Sequence, residues 1–425
     1  MVVDEEHEPS FKQGSVPRYH ARAVAVERAR LAGAVCVLGS ATPSLESWCR
    51  AEQGEYERIV LRSRVAGGEL PEVEVVDLRA ERQMAEGLFS RRLEDLLTET
   101  LTRKEQVILF LNRRGFSPVL WCRACNETVR CRQCDQALTF HRRIQRVVCH
   151  SCCEELQPPA ACPSCTAPAL RFLGVGSERL EEALARRWPD ARIARMDSDT
   201  MLRREDYEET LAAFGRGEID VLTGTQMIAK GLDFPRVTLV GIVAADSGLH
   251  LPDFRASERT YQLLSQVSGR AGRGALAGRI LVQTSVPDHA AITTAARHDY
   301  EAFVKGELEL RADLDYPPYG RLIRAVFEHE DEVRTSSTAR AVAESLREAL
   351  EGHIDAGRVY VLGPGVAPIS QLRGRYRWHL LVRVPGACRP EHAEGFTAAR
   401  EHLAGAAGSS GGVRVVVDID PVGMM

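Results

Sequence analysis

The sequence predicts an α/β protein with parallel sheets, interrupted by an inserted metal module and closed by a small α+β domain. Three observations carry this. Short apolar runs alternate with helical runs through roughly the first 300 residues, the pattern of strand–helix–strand units. Nine of the twelve cysteines crowd into residues 118–170, where no long apolar run occurs. Beyond residue 300 the rhythm changes after Tyr316-Pro317-Pro318-Tyr319, a stop signal.

Taken in order, Val2-Val3 reads as the end of a buried strand, followed at once by Asp4-Glu5-Glu6-His7. A parallel strand buried on both faces needs a sheet around it. Residues 19–31 have helical composition and spacing, and Ala34 to Leu38 reads as a short strand ending at Gly39-Ser40-Ala41-Thr42-Pro43. Further strands are expected at 73–76, 107–111, 193–196, 219–222, 237–243 and 280–283, with helices at 91–102, 177–188, 203–214 and 257–270. The last domain should contain strands at 322–327, 378–384 and 413–417, and helices at 333–350 and 390–403. These runs place domain boundaries at 1–85, 86–300 with the insertion 118–170, and 301–425. There are no repeats.

Charge and composition exclude some classes. The formal net charge of −4 argues against a polybasic nucleic-acid coat, although a local cationic stripe suffices for phosphate contacts. No apolar run reaches the roughly 18 residues of a membrane span, and no charged segment leads into an apolar one at the N-terminus, so no signal peptide is expected. A cytoplasmic, reducing location follows, in which clustered cysteines read as metal ligands rather than disulfides.

Eight of those cysteines form four Cys-x-x-Cys turns: Cys122/Cys125, Cys131/Cys134, Cys149/Cys152 and Cys162/Cys165. Each turn lets two thiolates reach one ion, and two turns complete a tetrahedral site. Four turns imply two structural Zn²⁺ ions, which supply folding energy to a segment too poor in apolar residues for a core. Spacing leaves open which turns share an ion, and His141, His150 and Cys153 lie near enough to substitute. Cys36, Cys49 and Cys388 read as ordinary core or surface residues.

The second constellation handles phosphates. Asp4-Glu5-Glu6-His7 after a strand has the form of a Walker B box, where one carboxylate holds Mg²⁺ and another orients or deprotonates water. Asp4 and Glu5 suit those roles. Ser40-Ala41-Thr42 follows a strand, as a coupling motif between lobes should. Thr223-Gly224-Thr225-Gln226-Met227-Ile228-Ala229-Lys230-Gly231 follows another. In Gln266-Val267-Ser268-Gly269-Arg270-Ala271-Gly272-Arg273, helical spacing puts Gln266, Arg270 and Arg273 on one face, suited to a γ-phosphate held across a cleft.

In this order, Asp-Glu-x-His, Ser-Ala-Thr and Gln-x-x-Gly-Arg-x-Gly-Arg resemble motifs II, III and VI of superfamily 2 helicases, and the Thr223–Gly231 run resembles motif V. The cysteine module narrows the resemblance to the primosomal protein N′ family. Leu111-Asn112-Arg113-Arg114-Gly115, the run from Leu372-Arg373-Gly374-Arg375 to Trp378, and the closing Val417-Asp418-Ile419-Asp420-Pro421 do the same. The resemblance covers essentially the whole chain. It implies an incomplete first RecA-like lobe, a second RecA-like lobe bearing the zinc module, and a C-terminal domain folded like a small ribosomal protein.

The resemblance also implies roles. Asp4 would contact Mg²⁺ and Glu5 would be the general base. Glu6, His7 and Gln266 would complete the catalytic set, and Gly231, Arg270 and Arg273 would contact nucleotide. Cys122, Cys125, Cys162 and Cys165 would hold one zinc, and Cys131, Cys134, Cys149 and Cys152 the other. Phe11, Tyr19 and His20 match an aromatic-rich loop that couples DNA contact to hydrolysis, with Pro17 where the family carries another aromatic. The implied activity is ATP-dependent: recognition of stalled forks, unwinding of lagging-strand DNA and initiation of primosome assembly. The implied partners are forked and single-stranded DNA, other primosome proteins, the replicative helicase loader and single-stranded-DNA-binding protein, and no membrane.

One part is missing. Hydrolysis of this type needs Gly-x-x-x-x-Gly-Lys-Ser/Thr. The four lysines, Lys12, Lys104, Lys230 and Lys305, follow Phe11, Arg103, Ala229 and Val304, so none follows a glycine. The expectation is therefore a fragment or truncated reading frame, inactive by itself. The alternative is a natural short form acting as a non-catalytic, zinc-dependent DNA-binding scaffold for primosome loading.

Overall fold

The computed structural model describes residues 1–61, 71–80, 88–111, 119–122, 124–125, 127–133, 137–141, 144–150, 152–172, 177–197, 200–201, 203–225, 228, 234–269, 278–386, 390–409 and 411–424, the side chains at 390–391 and 408–409 aside. Cys134, Gly231, Arg270, Arg273, Cys388 and the run 112–115 lie outside them.

The central sheet is six-stranded and entirely parallel, in the order Ile193–Met196, Val221–Gly224, Gln106–Phe110, Val237–Ile242, Arg279–Thr284, Val73–Asp77. Its middle strands are buried at every position, as a sheet covered on both faces requires. Alternation then divides the core in two. Val107, Leu109 and Leu111 pack with Leu93, Leu96 and Leu97 of helix Arg91–Thr102 and with Leu180 and Leu184 of helix Ser177–Arg187. Ile108 and Phe110 face the other way, toward Leu211 and Phe214 of helix Arg204–Arg216 and Leu263, Leu264 and Val267 of helix Ala256–Ser268. Gly224 sits where an added Cβ would lie 2.1 Å from the Met196 carbonyl oxygen, so the strand pairing itself demands glycine there.

Three expectations need correction. Strand Val73–Asp77 pairs with Arg279–Thr284, so it belongs to the second lobe and the boundary at residue 85 is too late. Sequence order alone groups it with the residues before it. Val2–Val3 does form a strand, parallel to Val37–Leu38, but this pair is only two-stranded and Val2 is 74% exposed. The strand expected from Ala34 shortens to its last two residues. Helices Leu45–Glu52, Ala290–Ala296 and Tyr300–Asp313 were not expected. Each starts on a side-chain cap, from Ser44, His289 and Asp299 respectively, and such local bonds stabilise short helices of mixed pattern.

The C-terminal domain runs β-α-β-β-α-β: Arg321–His329, Glu332–Ala349, Tyr360–Leu372, Arg375–Val384, Pro390–Ser409, Arg414–Ile419. Its antiparallel sheet has the order Tyr360–Leu372, Arg375–Val384, Arg321–His329, Arg414–Ile419. Phe327, Ala339, Ala343, Leu346, Leu380 and Leu403 are among its core residues. The strand Tyr360–Leu372 escaped the sequence because Gly363-Pro364-Gly365 argues against a regular strand. The chain accommodates these residues with a shift in register between Leu362 and Gly365.

The cysteine segment holds a two-stranded pair, Leu120–Cys122 with Leu170–Phe172, and a three-stranded meander, Thr139–His141, Arg146–Val148, Glu155–Leu156. It also has a small apolar cluster of Leu120, Val129, Leu138, Phe140 and Val147, which was not expected. Cys153 reaches the C-terminal domain, its Cβ only 3.0 Å from where a Cβ on Gly365 would stand.

Candidate nucleotide cleft and metal centre

The acidic box is held by the backbone it follows. The amide of Glu6 donates to the Gly39 carbonyl at 3.1 Å, which sets residues 4–7 beside the Ser40–Thr42 turn. Glu5 has φ of 48°, unusual for a residue with a side chain, and its amide donates to Asp4 Oδ1 at 3.0 Å. Asp4 and Glu5 are exposed, as groups that meet a ligand from solvent must be.

Glu6 is different. It is buried, and its carboxylate accepts from the Ser44 amide at 2.6 Å, Ser44 Oγ at 3.1 Å, Ser47 Oγ at 3.0 Å and Arg22 Nη1 at 2.6 Å. With its acceptors so engaged, Glu6 braces the box rather than facing substrate.

His7 joins three motifs. Its Nδ1 lies 2.7 Å from Ser40 Oγ, and its Nε2 lies 3.1 Å from the Gln266 amide nitrogen. A Glu5 carboxylate oxygen lies 3.5 Å from the same Nδ1. Gln266 stands near the end of helix Ala256–Ser268, whose cap is Gly269. Thr223, Gly224 and Thr225 are buried at the end of their strand.

Of the aromatic candidates, His20 lines a cavity together with His7, Arg22 and Arg255. Phe11 ends a short 3₁₀ helix Pro9–Phe11, Tyr19 is exposed, and His20 caps helix Ala21–Leu31 by accepting from the Arg22 amide at 3.3 Å. Burial, with Arg22 and Lys12 nearby, lowers His20 to about 4. Lys12 Nζ donates to the Ile419 carbonyl at 2.6 Å and lies 3.1 Å from Asp418 Oδ1. It ties this loop to the C-terminal domain, and nothing local in the sequence signals so distant a partner.

The cysteines gather in two sets. Cys122, Cys125, Cys162 and Cys165 have their sulfurs within 4.8 Å of one another, and so do Cys131, Cys149 and Cys152. The Cys122–Cys165 and Cys125–Cys162 separations are 3.6 Å, and Cys131–Cys152 is 3.7 Å. A tetrahedral metal with bonds of roughly 2.3 Å has sulfurs about 3.8 Å apart, so both sets fit one. Without a cation four thiols resist ionising together. Burial and its neighbours push Cys125 up to about 12, while backbone amides of Cys165 and Ser164 outweigh burial at Cys162 and bring it to about 7. His141 and His150 face each other instead, Nε2 to Nε2 at 3.1 Å, with His379 of the C-terminal domain stacked edge-on against His150.

The family described as Helicase conserved C-terminal domain matches residues 173–275, and Primosomal protein N C-terminal domain matches residues 312–422. The class is therefore that of a RecA-like helicase lobe carrying a primosomal C-terminal domain. Replication restart protein PriA of Bacillus subtilis (strain 168) is 45% identical over 384 residues, 90% of this chain and 47% of that protein. PriA of Treponema pallidum (strain Nichols) is 45% identical over 385 residues, 91% of this chain and 57% of that protein. PriA of Haemophilus influenzae is 37% identical over 426 residues, 99% of this chain and 56% of that protein. The chain belongs to the replication restart protein PriA family, and it spans about half the length of these relatives. Among the described residues, no helix is long and apolar enough to cross a membrane.

Proposed function

We propose that this chain supplies the acidic box, the second motor lobe, the zinc module and the C-terminal domain of an ATP-dependent DNA helicase for replication restart. The observation that carries the reading is His7 held between Ser40 and Gln266, which links the acidic box to the Ser40–Thr42 turn and to the helix of the second lobe that carries Gln266. A DNA-driven motor needs such a link, because hydrolysis must answer to the relative position of the lobes.

In this reading Asp4 holds the Mg²⁺ of bound ATP, and Glu5 takes the proton of the attacking water. Glu6 fixes the box through Ser44 and Ser47. Gln266 reports the second lobe to His7. Arg270 and Arg273 stabilise charge on the transferred phosphoryl group, and Gly231 lets backbone approach the nucleotide. The two cysteine sets hold Zn²⁺ as closed structural sites: Cys122, Cys125, Cys162 and Cys165 in one, and Cys131, Cys134, Cys149 and Cys152 in the other. Eight thiolates leave no open coordination position for catalysis. Phe11, Tyr19 and His20 contact single-stranded DNA by stacking. The substrates are stalled forks, unwound on the lagging strand. The partners are other primosome proteins, the replicative helicase loader and single-stranded-DNA-binding protein, in the cytoplasm.

No lysine here follows a glycine, so hydrolysis by this route needs a Gly-Lys phosphate-binding loop that these residues do not supply. The test joins this sequence to the N-terminal half of the Bacillus subtilis relative and measures ATP hydrolysis and fork unwinding. Activity in the joined protein, lost in Glu5→Gln with DNA binding retained, is the expected result. Fork loading that persists in Glu5→Gln without unwinding would favour the non-catalytic scaffold.

A further inference from the structure

Two carboxylates, one from each lobe, converge on the N-terminus of helix Leu45–Glu52. The Ser44 amide donates to Glu6 at 2.6 Å, and the very next amide, Leu45, donates to Glu258 Oε1 at 3.2 Å. Glu6 belongs to the acidic box. Glu258 lies in the first turn of helix Ala256–Ser268, which carries Gln266. The first amides of a helix have no partner within it, and the helix dipole favours negative charge there, so the end of this helix suits two acids.

The same junction is closed by charge. Arg255 Nη1 donates to Glu46 Oε2 at 3.2 Å and to Glu258 Oε2 at 3.1 Å, while its other terminal nitrogen bonds Glu46 Oε1. Glu258 Oε2 also accepts from Arg311 Nη2 at 2.9 Å. Arg311 donates further to Glu307 at 3.0 Å and to the Pro317 carbonyl at 3.2 Å, in the Tyr316–Tyr319 junction that leads into the C-terminal domain. The path runs unbroken from the acidic box to that junction.

Four of its side chains, Arg255, Glu258, Glu307 and Arg311, keep at most 12% of their surface, and Glu46 keeps 21%. Against burial, which alone would push both carboxyls up, Arg255 holds Glu46 down and Arg311 holds Glu258 down. Buried ion pairs of this kind rarely stabilise a fold more than apolar residues of the same volume would. They do fix one geometry, because each displaced partner leaves an uncompensated charge behind. Apolar packing at this junction is already supplied by Leu45, fully buried in the second lobe's core, and by Trp48 edge-on to Tyr300 at 5.5 Å.

We propose that Glu46, Arg255, Glu258 and Arg311 are positioning residues that latch the acidic box to the Gln266 helix and hand the position of the C-terminal domain on to it. The inference rests on the motor reading for its consequence, namely that the C-terminal domain's placement sets the His7–Gln266 distance. The latch itself exists or fails independently of hydrolysis.

Hydrogen exchange on the intact chain tests it, with the sheet strand Arg321–His329 as an internal control of folding. In Glu46→Gln, which keeps shape and loses charge, the amides of residues 44–52 should exchange about tenfold faster while the control strand keeps its rate. Glu46→Arg should accelerate them further, and Glu46→Arg combined with Arg255→Glu should slow them again, because the reversed pair restores the attraction. Wild-type exchange in Glu46→Gln would overturn the proposal. So would a double variant that exchanges no more slowly than Glu46→Arg. Either result leaves the motor reading standing, since ATP hydrolysis is not the readout.

Discussion

The imidazole of His7 and the side-chain amide of Gln266 meet at 3.1 Å, although 259 positions separate them in the sequence. Each reaches the other from a different lobe, and the ring's second nitrogen is already turned toward Ser40. The contact therefore works as one unit with Ser40 rather than as two independent bonds. In the joined protein, His7→Ala and Gln266→Ala should each lower DNA-stimulated hydrolysis about tenfold, and the double variant should be no worse than either. A coupled ATPase assay measures this. Multiplicative losses would separate the two side chains.

The two cysteine sets predict a metal count. Purified chain should carry two Zn²⁺ by elemental analysis, and Cys122→Ser or Cys131→Ser should reduce it to about one. Strong chelation should raise amide exchange across residues 119–172, since the apolar cluster around Leu120 and Phe140 is small, and leave the strand Arg321–His329 protected.

Gly224 is a steric prediction. A Cβ there would lie 2.1 Å from the Met196 carbonyl oxygen and 2.7 Å from Ile228 Cδ1. Gly224→Ala should destabilise the second lobe by about 3 kcal/mol, read by urea unfolding.

Lys12→Met keeps most of the unbranched stem of the side chain and removes its charge. It gives up the bond to the Ile419 carbonyl and leaves Asp418 without its cation. A loss of about 2 kcal/mol is expected from denaturant titration, with faster proteolysis of the loop that carries Tyr19.

His250 carries a pH dependence. Burial lowers it to about 4, below the 6.5 of an unperturbed imidazole. Above pH 6.5 it is neutral in both folded and unfolded chains. Between 6.5 and about 4 only the unfolded chain binds the proton, so its contribution to stability falls as pH drops and is fully lost below about 4. His250→Asn should shrink the difference in Tm between pH 7 and pH 5, while any loss of metal at low pH affects both proteins alike.

Much of the fold was legible because it obeys local rules. Strands at 106–110 and 237–242 are mostly apolar since both their faces are covered, and helix Arg91–Thr102 keeps its leucines on one face. The three short helices that start on side-chain caps, and the strand broken by Gly363-Pro364-Gly365, were not legible. Their signals are single bonds and a bulge rather than a period.

For the site, the sequence alone determined which residue types were present and in what order: the acidic box, the Ser40–Thr42 turn, Gln266 and the four Cys-x-x-Cys turns. Each is a short stretch whose chemistry depends on neighbours a few positions away. The tertiary structure decided which of these meet. It grouped Cys122 and Cys125 with Cys162 and Cys165, made Glu6 a brace and His7 a bridge, and moved Val73–Asp77 into the second lobe's sheet. It also assembled the chain of charges from Glu46 to Arg311, which no motif announces. Burial is the physical reason. A charge or thiol is committed to a partner only once water is excluded, and exclusion depends on segments hundreds of residues apart packing together.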